Sequence, residues 1–341
     1  MTARVPHFLV IRRRYLGDIV LLGSLLHNLR LHWPAAQFTV LTEPAYAGLL
    51  ALNPDNVQPL LLPPGLGAWP GFLRTLRRAH FTHVLDLDNT EKTAAIALLS
   101  GASLRVGLHH GIHRLKLRAA YTHVVHDPTE LHETRPITEY YLRALEPLGV
   151  PVLTREIRLV PRSDDLAAMA RLVGAAGKIL LVHPGTRSAY RLWPVEQFAA
   201  VCDFAQDALG AQVVLTGGPG DATALAAIRR HARTHLLPLP DTLPIGRFAA
   251  LAKLASAVLC HDSGPMHVAA ATGARVIALY GSQNAVLFRP PGENHLLLQP
   301  PLPCAACVAP GQCMPGDSYK NFCVRLVDPS RVRSALRAAL A

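Results

Sequence analysis

Ala257-Val258-Leu259-Cys260-His261-Asp262-Ser263-Gly264-Pro265-Met266-His267 is the stretch on which the fold turns. Its first four residues read as a short buried strand. The residues after it, Val268-Ala269-Ala270-Ala271-Thr272, read as a helix that stops at Gly273. A strand that ends in Asp-Ser-Gly and turns straight into a helix presents free backbone N–H groups and the positive end of a helix dipole at one point. Such a point suits an anion, most often a phosphate. Every α/β unit has turns of this kind, so its meaning depends on the rest of the chain.

Working outward, the same rhythm recurs. In the second half, strands are predicted over 178–182, 212–215, 257–260 and 275–279, after a helix over 164–173. In the first half they are predicted over 8–12, 38–41, 57–62 and 83–87, with helices over 19–31, 72–79 and 137–148. Alternation of buried strands with helices predicts parallel sheets covered on both faces. Gly149-Val150-Pro151 marks a break. The fold class is therefore α/β: two Rossmann-like, doubly wound parallel-sheet domains, 1–155 and 156–341, facing a cleft, with ligands outside the carboxyl ends of the strands. The amphipathic last helix, over 330–340, can pack on either domain.

Three strand ends of the second half carry the chemistry. His183-Pro184-Gly185-Thr186-Arg187-Ser188 follows the first, with Arg191 just before Trp193-Pro194. Thr216-Gly217-Gly218-Pro219-Gly220-Asp221 follows the second. Its glycines allow close backbone approach, and its carboxylate is placed to accept hydrogen bonds from ribose hydroxyls. The third is the opening stretch, with Asp262, Ser263, Gly264 and His267. Together they predict a nucleotide site, although none is a P-loop. In the first half, the first strand runs into Arg13-Arg14-Tyr15-Leu16-Gly17-Asp18-Ile19. Asp18 falls at the start of a helix, where it either caps the first turn or serves as a general base.

Composition narrows the class. Half of the 341 residues are hydrophobic and 17% are charged, which predicts a packed globular protein. Apolar runs stop well short of the roughly 18 residues that span a membrane. Phe8-Leu9-Val10-Ile11 precedes Arg12-Arg13-Arg14, the reverse of a secretory signal, so a cytoplasmic protein is expected. Lys and Arg outnumber Asp and Glu by 34 to 23, a net charge of +11 that points to an anionic partner. Asp86-Leu87-Asp88 reads as a strand-end turn rather than a metal site. The four cysteines Cys304, Cys307, Cys313 and Cys323 begin with a zinc-knuckle spacing that the second pair does not repeat. They are left as either a structural metal site or free thiols.

Gly17-Asp18, the 183–194 segment, the Gly217-Gly218 turn, the 262–267 motif and Leu279-Tyr280-Gly281-Ser282 stand in one order. In that order the chain, over about residues 7 to 335, resembles glycosyltransferase family 9, the ADP-heptose:lipopolysaccharide heptosyltransferases of GT-B fold. The resemblance implies an inverting transferase that moves a heptose from ADP-heptose to the lipopolysaccharide inner core. It implies Asp18 as catalytic base and Arg191, in place of a common Lys, at the donor phosphates. Asp221 would hold the ribose, and Ser263, Gly264 and His267 would line the pyrophosphate. No cofactor is expected, since a positively charged cradle removes much of the need for a metal.

Arg74, Arg77 and Arg78, on one helical face, and a second cluster from Arg105 through His109, His110, His113, Arg114 and Lys116 to Arg118 are either solvated or hold the acceptor. That acceptor would be a phosphorylated lipid A–Kdo at an anionic membrane surface, with the protein peripheral on the inner membrane. Nucleic acid is not an expected partner, because the arginines lack interleaved aromatics. The alternatives are a family 9 transferase with another sugar nucleotide or acceptor, a sugar-nucleotide epimerase, and a non-catalytic protein that binds nucleotides or anionic surfaces.

Overall fold

Strands buried along their whole length, such as Ile179–His183, need cover on both faces, and the intervening helices supply it. A computed structural model describes residues 5–111, 114–174, 177–187, 191–237, 239–302 and 323–341. The chain divides into two units, Met1–Arg158 and Leu159–Ala341. The first holds β1 (His7–Ile11), β2 (Gln37–Thr42), β3 (Val57–Leu61), β4 (His83–Asp86), β5 (Leu104–His110) and β6 (His123–Asp127). They form a parallel sheet of order β3-β2-β1-β4-β5-β6.

The second unit holds β7 (Ile179–His183), β8 (Gln212–Leu215), β9 (Ala257–His261), β10 (Val276–Leu279) and β11 (Leu296–Leu298). Their order is β11-β10-β9-β7-β8, again parallel. Each sheet reverses its direction of growth once: between β1 and β4 in the first unit, between β7 and β9 in the second. Neighbouring connections there leave to opposite faces and open a crevice at the carboxyl ends of the strands.

The cores explain the periodicity. In the first unit Leu9, Ile11 and Val84 pack against Phe72, Leu76, Ala94 and Ala97. In the second, Val182 and Leu215 meet Trp193, Phe198 and Cys202, with Val332, Leu336 and Leu340 of the last helix, Pro329–Leu340. Each fully buried side chain of this size contributes about 1.5–3 kcal/mol. The last helix thus belongs to the second unit's core. Trp193 is anchored at both ends, its backbone N–H donating to His261 Nε2 (2.9 Å) and its indole N–H to the Val327 carbonyl (3.1 Å). Among the described residues, no helix is long and apolar enough to cross a membrane.

Several elements differ from expectation. The helix predicted over 137–148 is α-helical only over Ile137–Leu142, then tightens to a 3-10 helix over Arg143–Leu148. Pro147 has no N–H for an i−4 bond, so the wider spiral is not sustained there. The helix predicted over 19–31 is two, Leu16–Leu21 and Gly23–His32. β5, β6 and β11 went unpredicted. β6 alternates exposed and buried residues, as an edge strand does, and its His123 and His126 face water. Their polarity masked the strand.

Candidate active site

At the first switch point, the end of β1 brings Arg12 and Arg13 beside Asp88, which follows β4. Arg13 Nε donates to Asp88 Oδ2 (2.6 Å), and Arg12 Nη1 to Asp88 Oδ1 and the Leu87 carbonyl (both 3.2 Å). Arg12 turns its other nitrogen, Nη2, to Asp18 Oδ1 at 2.5 Å. Tyr141, fully buried on helix Ile137–Leu142, donates its hydroxyl to the same oxygen at 2.8 Å. Asp18 Oδ2 accepts the Tyr15 N–H (2.8 Å), closing the first turn of helix Leu16–Leu21.

Burial alone would raise the Asp18 carboxyl. The charge of Arg12 and the three donors outweigh it and hold the group below the usual carboxylate range. The side chain is still 18% exposed. Oδ1 is saturated by two strong donors, so Oδ2 is the atom with capacity left to take a proton. Burial and the neighbouring Asp18 charge push the Tyr141 phenol well above its ordinary value, so it remains a donor.

Arg12 and Tyr141, which hold this carboxylate, also line a cavity of about 330 Å³, together with Asn89, His110, Arg114, Lys116 and Tyr140. Asp86, immediately before, is completely buried. It accepts from the Tyr121 hydroxyl (2.7 Å) and the Asp88 N–H (2.9 Å), and burial raises its carboxyl to about 6. Asp86-Leu87-Asp88 is thus a strand-end turn whose two carboxylates are spent on Tyr121, Arg12 and Arg13.

In the second unit the predicted residues cluster on β8, β7 and β9, which are neighbours in that order. Asp221, which opens helix Ala222–His231, folds back so that its Oδ2 accepts the Gly218 N–H at 2.6 Å. A Cβ on Gly185 would overlap this carboxylate, and one on Gly217 would come within 2.8 Å of the Asp221 Cβ. Only glycine lets the acidic side chain lie against both turns. His183 Nδ1 and Thr216 Oγ1, buried at the ends of β7 and β8, have no hydrogen-bond partner among the described residues. Burial lowers the His183 pKa against the opposing pull of Asp221.

At the end of β9, Ser263 is extended and Gly264–Ala271 begins as a helix with Pro265 in its first turn. The positive end of that helix therefore sits at the strand end, as the opening motif predicts. Arg191 Nη1 reaches the Asp262 carbonyl and Oδ2, both at 3.4 Å. Asp262 is buried and raised to about 6, with Arg191 pulling the other way. His261 accepts the Trp193 N–H, and burial pushes its pKa down to about 3, so this imidazole is neutral.

Residues 70–316 match the model for glycosyltransferase family 9 (heptosyltransferase). The chain belongs to this family. Among curated relatives, the chain is similar to lipopolysaccharide heptosyltransferase 3 of Escherichia coli K12, 27% identical over an alignment of 296 positions that covers 82% of this chain and 84% of that one. Among solved structures, a family 9 glycosyltransferase of Veillonella parvula superposes with a TM-score of 0.83 at 20% identity, covering 100% of this chain and 98% of that one. The E. coli ADP-heptose lipopolysaccharide heptosyltransferase II superposes with a TM-score of 0.78 at 23% identity, covering 98% of each. The two parallel-sheet units are those of a GT-B fold, and this family 9 member is a glycosyltransferase.

The remaining predicted residues lie elsewhere. Arg74, Arg77 and Arg78 are exposed on helix Trp69–Arg78, whose Phe72 and Leu76 face the core. Arg105 spends its guanidinium on the Ala102 and Ala120 carbonyls, bracing β5. Thr186 and His267 fall in the second cluster, at the ends of the same strands. Cys304, Cys307 and Cys313 lie outside the described residues, while Cys323 is buried in a 3-10 turn. Among the described residues no group of three His, Cys, Asp or Glu is placed to hold a metal ion. Sequence reasoning missed Tyr141, Asn89, and the parts played by Arg12 and Asp88. Arg12 carried a signal, a cation closing a buried strand; Tyr141 carried none.

Proposed function

We propose that the protein transfers a heptose, with inversion, from ADP-heptose to the inner core of lipopolysaccharide, the first unit receiving the acceptor and the second the donor. The observation that carries this reading is the Asp18 carboxylate: held ionised, with Oδ1 taken by Arg12 and Tyr141, which themselves line a basic cavity, and Oδ2 engaged only by the Tyr15 N–H among the described residues. The acceptor hydroxyl gives its proton to Asp18 Oδ2 as its oxygen bonds to the anomeric carbon. The bond from that carbon to the diphosphate oxygen breaks, and ADP leaves with the electron pair.

In this reading Arg191 and the first turn of helix Gly264–Ala271 take up the charge of the departing diphosphate. Ser263 and His267 line it. Asp221, pinned through Oδ2 to Gly218, meets the ribose hydroxyls with Oδ1, and the buried His183 Nδ1 and Thr216 Oγ1 suit polar atoms of the nucleoside. The choice of donor takes its support from the name of the E. coli ADP-heptose lipopolysaccharide heptosyltransferase II, and the transfer of heptose to lipopolysaccharide also from that of lipopolysaccharide heptosyltransferase 3. The acceptor is then a phosphorylated lipid A–Kdo core, and the protein acts in the cytoplasm, peripheral on an anionic membrane surface.

Asp18→Asn keeps the shape and removes the base. Its kcat is expected to fall on the order of 10²–10⁴-fold, while ADP affinity by calorimetry stays within a few-fold. Preserved turnover would reject the base assignment. Incubation with ADP-heptose, UDP-sugars and GDP-sugars in parallel tests the donor, product being expected from ADP-heptose alone.

A further inference from the structure

Arg12 serves two carboxylates at once, and only one of them has a part in the proposed reaction. Its guanidinium stands between Asp88 and Asp18. Nη1 donates to Asp88 Oδ1 at 3.2 Å, and Nη2 to Asp18 Oδ1 at 2.5 Å. A guanidinium is planar and rigid, so fixing one of its nitrogens sets the direction of the other.

The stem of the side chain does not fix it. Arg12 Nε is buried and has no hydrogen-bond partner among the described residues. An unpaired buried donor is costly, so the guanidinium is placed by its terminal contacts and not by the best use of its own donors. Nη1 has two acceptors, the Leu87 carbonyl and Asp88 Oδ1. Among the described residues, Asp88 is therefore the one charged anchor of Arg12 besides the carboxylate that Arg12 holds.

Asp88 is itself tied down. Its side chain is 5% exposed. Its N–H donates to Asp86 Oδ1 (2.9 Å), and the other oxygen of that fully buried carboxyl accepts the Tyr121 hydroxyl (2.7 Å). Asp88 Oδ2 accepts from Arg13 twice, from the backbone N–H (3.2 Å) and from Nε (2.6 Å). A group fastened at its backbone and at both oxygens is a fixed reference for what it binds.

We propose that Asp88 is a positioning residue: by holding Nη1 it aims Nη2 at Asp18 Oδ1, and so sets which way the Asp18 carboxylate faces. Tyr141 and the Tyr15 N–H also hold Asp18, so loss of the Arg12 contact misplaces the carboxylate without releasing it. The proposal rests on the reading of Asp18 as the base. A mere counter-charge to Arg12 and Arg13 would need a negative charge nearby and no particular geometry.

The test uses the full chain. Asp88→Asn removes the charge and one acceptor, while Asp88→Glu keeps the charge and displaces it by a methylene. Both are expected to lower kcat about ten- to a hundredfold, the effect of a lost charge-assisted hydrogen bond on a reacting group, with ADP affinity by calorimetry nearly unchanged. Full activity in Asp88→Glu would reduce Asp88 to a counter-charge and overturn the proposal. In an Arg12→Met background, Asp88→Asn should cost no further activity, because effects carried by one group do not add. Equal losses in both backgrounds would make Asp88 structural, which also overturns it.

A second readout needs no turnover. The Asp18 carboxyl carbon, followed by ¹³C NMR and identified by its loss in Asp18→Asn, should titrate at higher pH in both Asp88 variants than in wild type. The displaced guanidinium no longer favours the charged form. If Asp88→Asn does not fold, Asp88→Glu carries both readouts. A titration that is unchanged or moves down would mean that Arg12 keeps its place without Asp88, against the proposal. The upward shift in a protein that transfers no heptose would defeat the functional reading and leave the positioning role standing.

Discussion

A carboxylate that is to take a proton must be ionised, yet every donor that keeps it ionised weakens it as a base. Asp18 sits at one end of that compromise, with Arg12 and Tyr141 on Oδ1 and the Tyr15 N–H on Oδ2. In the proposed role of base, it would take its proton late, when the attacking hydroxyl has become acidic. Tyr141→Phe removes a hydrogen bond made to the charged form, so the Asp18 pKa should rise. A bond of that kind is worth about 1.5–3 kcal/mol, and one pH unit corresponds to roughly 1.4 kcal/mol.

The acid limb of kcat/KM is therefore expected to move up by roughly one to two pH units in Tyr141→Phe. Profiles of identical shape and different height would mean that Tyr141 only packs. At this scale Asp18 was legible, because Gly17-Asp18 after a strand is local. Tyr141 was not: it stands 123 positions away, and only the folded chain brings it within 2.8 Å.

At the scale of elements, the ends of the strands also bury charge at a cost. Asp86 closes β4 in complete burial, with its carboxyl raised to about 6 chiefly by desolvation. A folded-state value above the unfolded one means that its contribution to stability is full below the unfolded pKa of about 3.9 and is lost as pH rises through about 6. Asp86→Asn removes that dependence. Compared with wild type, the variant should gain roughly 1–3 kcal/mol between pH 4 and pH 7.5, read from urea midpoints at the two pH values. A difference between the proteins that does not change with pH would refute the account.

Element order along the chain was legible where a strand is both apolar and buried over four or five residues, as β7 and β9 are, but not at β11, whose three leucines are too short a run to read. It failed for β5 and β6, where Arg105, His109, His110, His123 and His126 gave the segment the look of a basic loop. Partial exposure on a sheet's flank permits those residues, and the apolar pattern then no longer reports the strand. The Pro147 helix end was readable in principle, since the missing N–H is a local fact.

For the whole molecule, the excess of positive charge is unevenly spread. No Asp or Glu occurs between Asp55 and Asp86, and the same stretch holds Arg74, Arg77 and Arg78. Those arginines are exposed on one short helix, and Leu61 and Leu66 just before it are 45% and 88% exposed. Exposed leucines beside a basic helix fit an anionic bilayer, where each basic residue near the surface is worth about 1 kcal/mol. Replacing the three arginines by glutamine should weaken cosedimentation with phosphatidylglycerol vesicles by roughly a hundredfold, on that figure. Binding to phosphatidylcholine should be weak for both proteins. Equal binding of the two proteins to anionic vesicles would exclude this helix as the contact.

By itself the sequence determined the class of fold, the strand-to-helix turns and the order of motifs that places the chain in its family. These depend on local propensity and burial patterns, which act over a few residues. The tertiary structure alone decided which strands are neighbours. Strand order sets the two switch points, and the switch points set which turns converge. The stretch 257–267 announced a strand end suited to an anion. Its meeting with Arg191, and the meeting of Asp18 with Tyr141, are long-range contacts that no local pattern encodes.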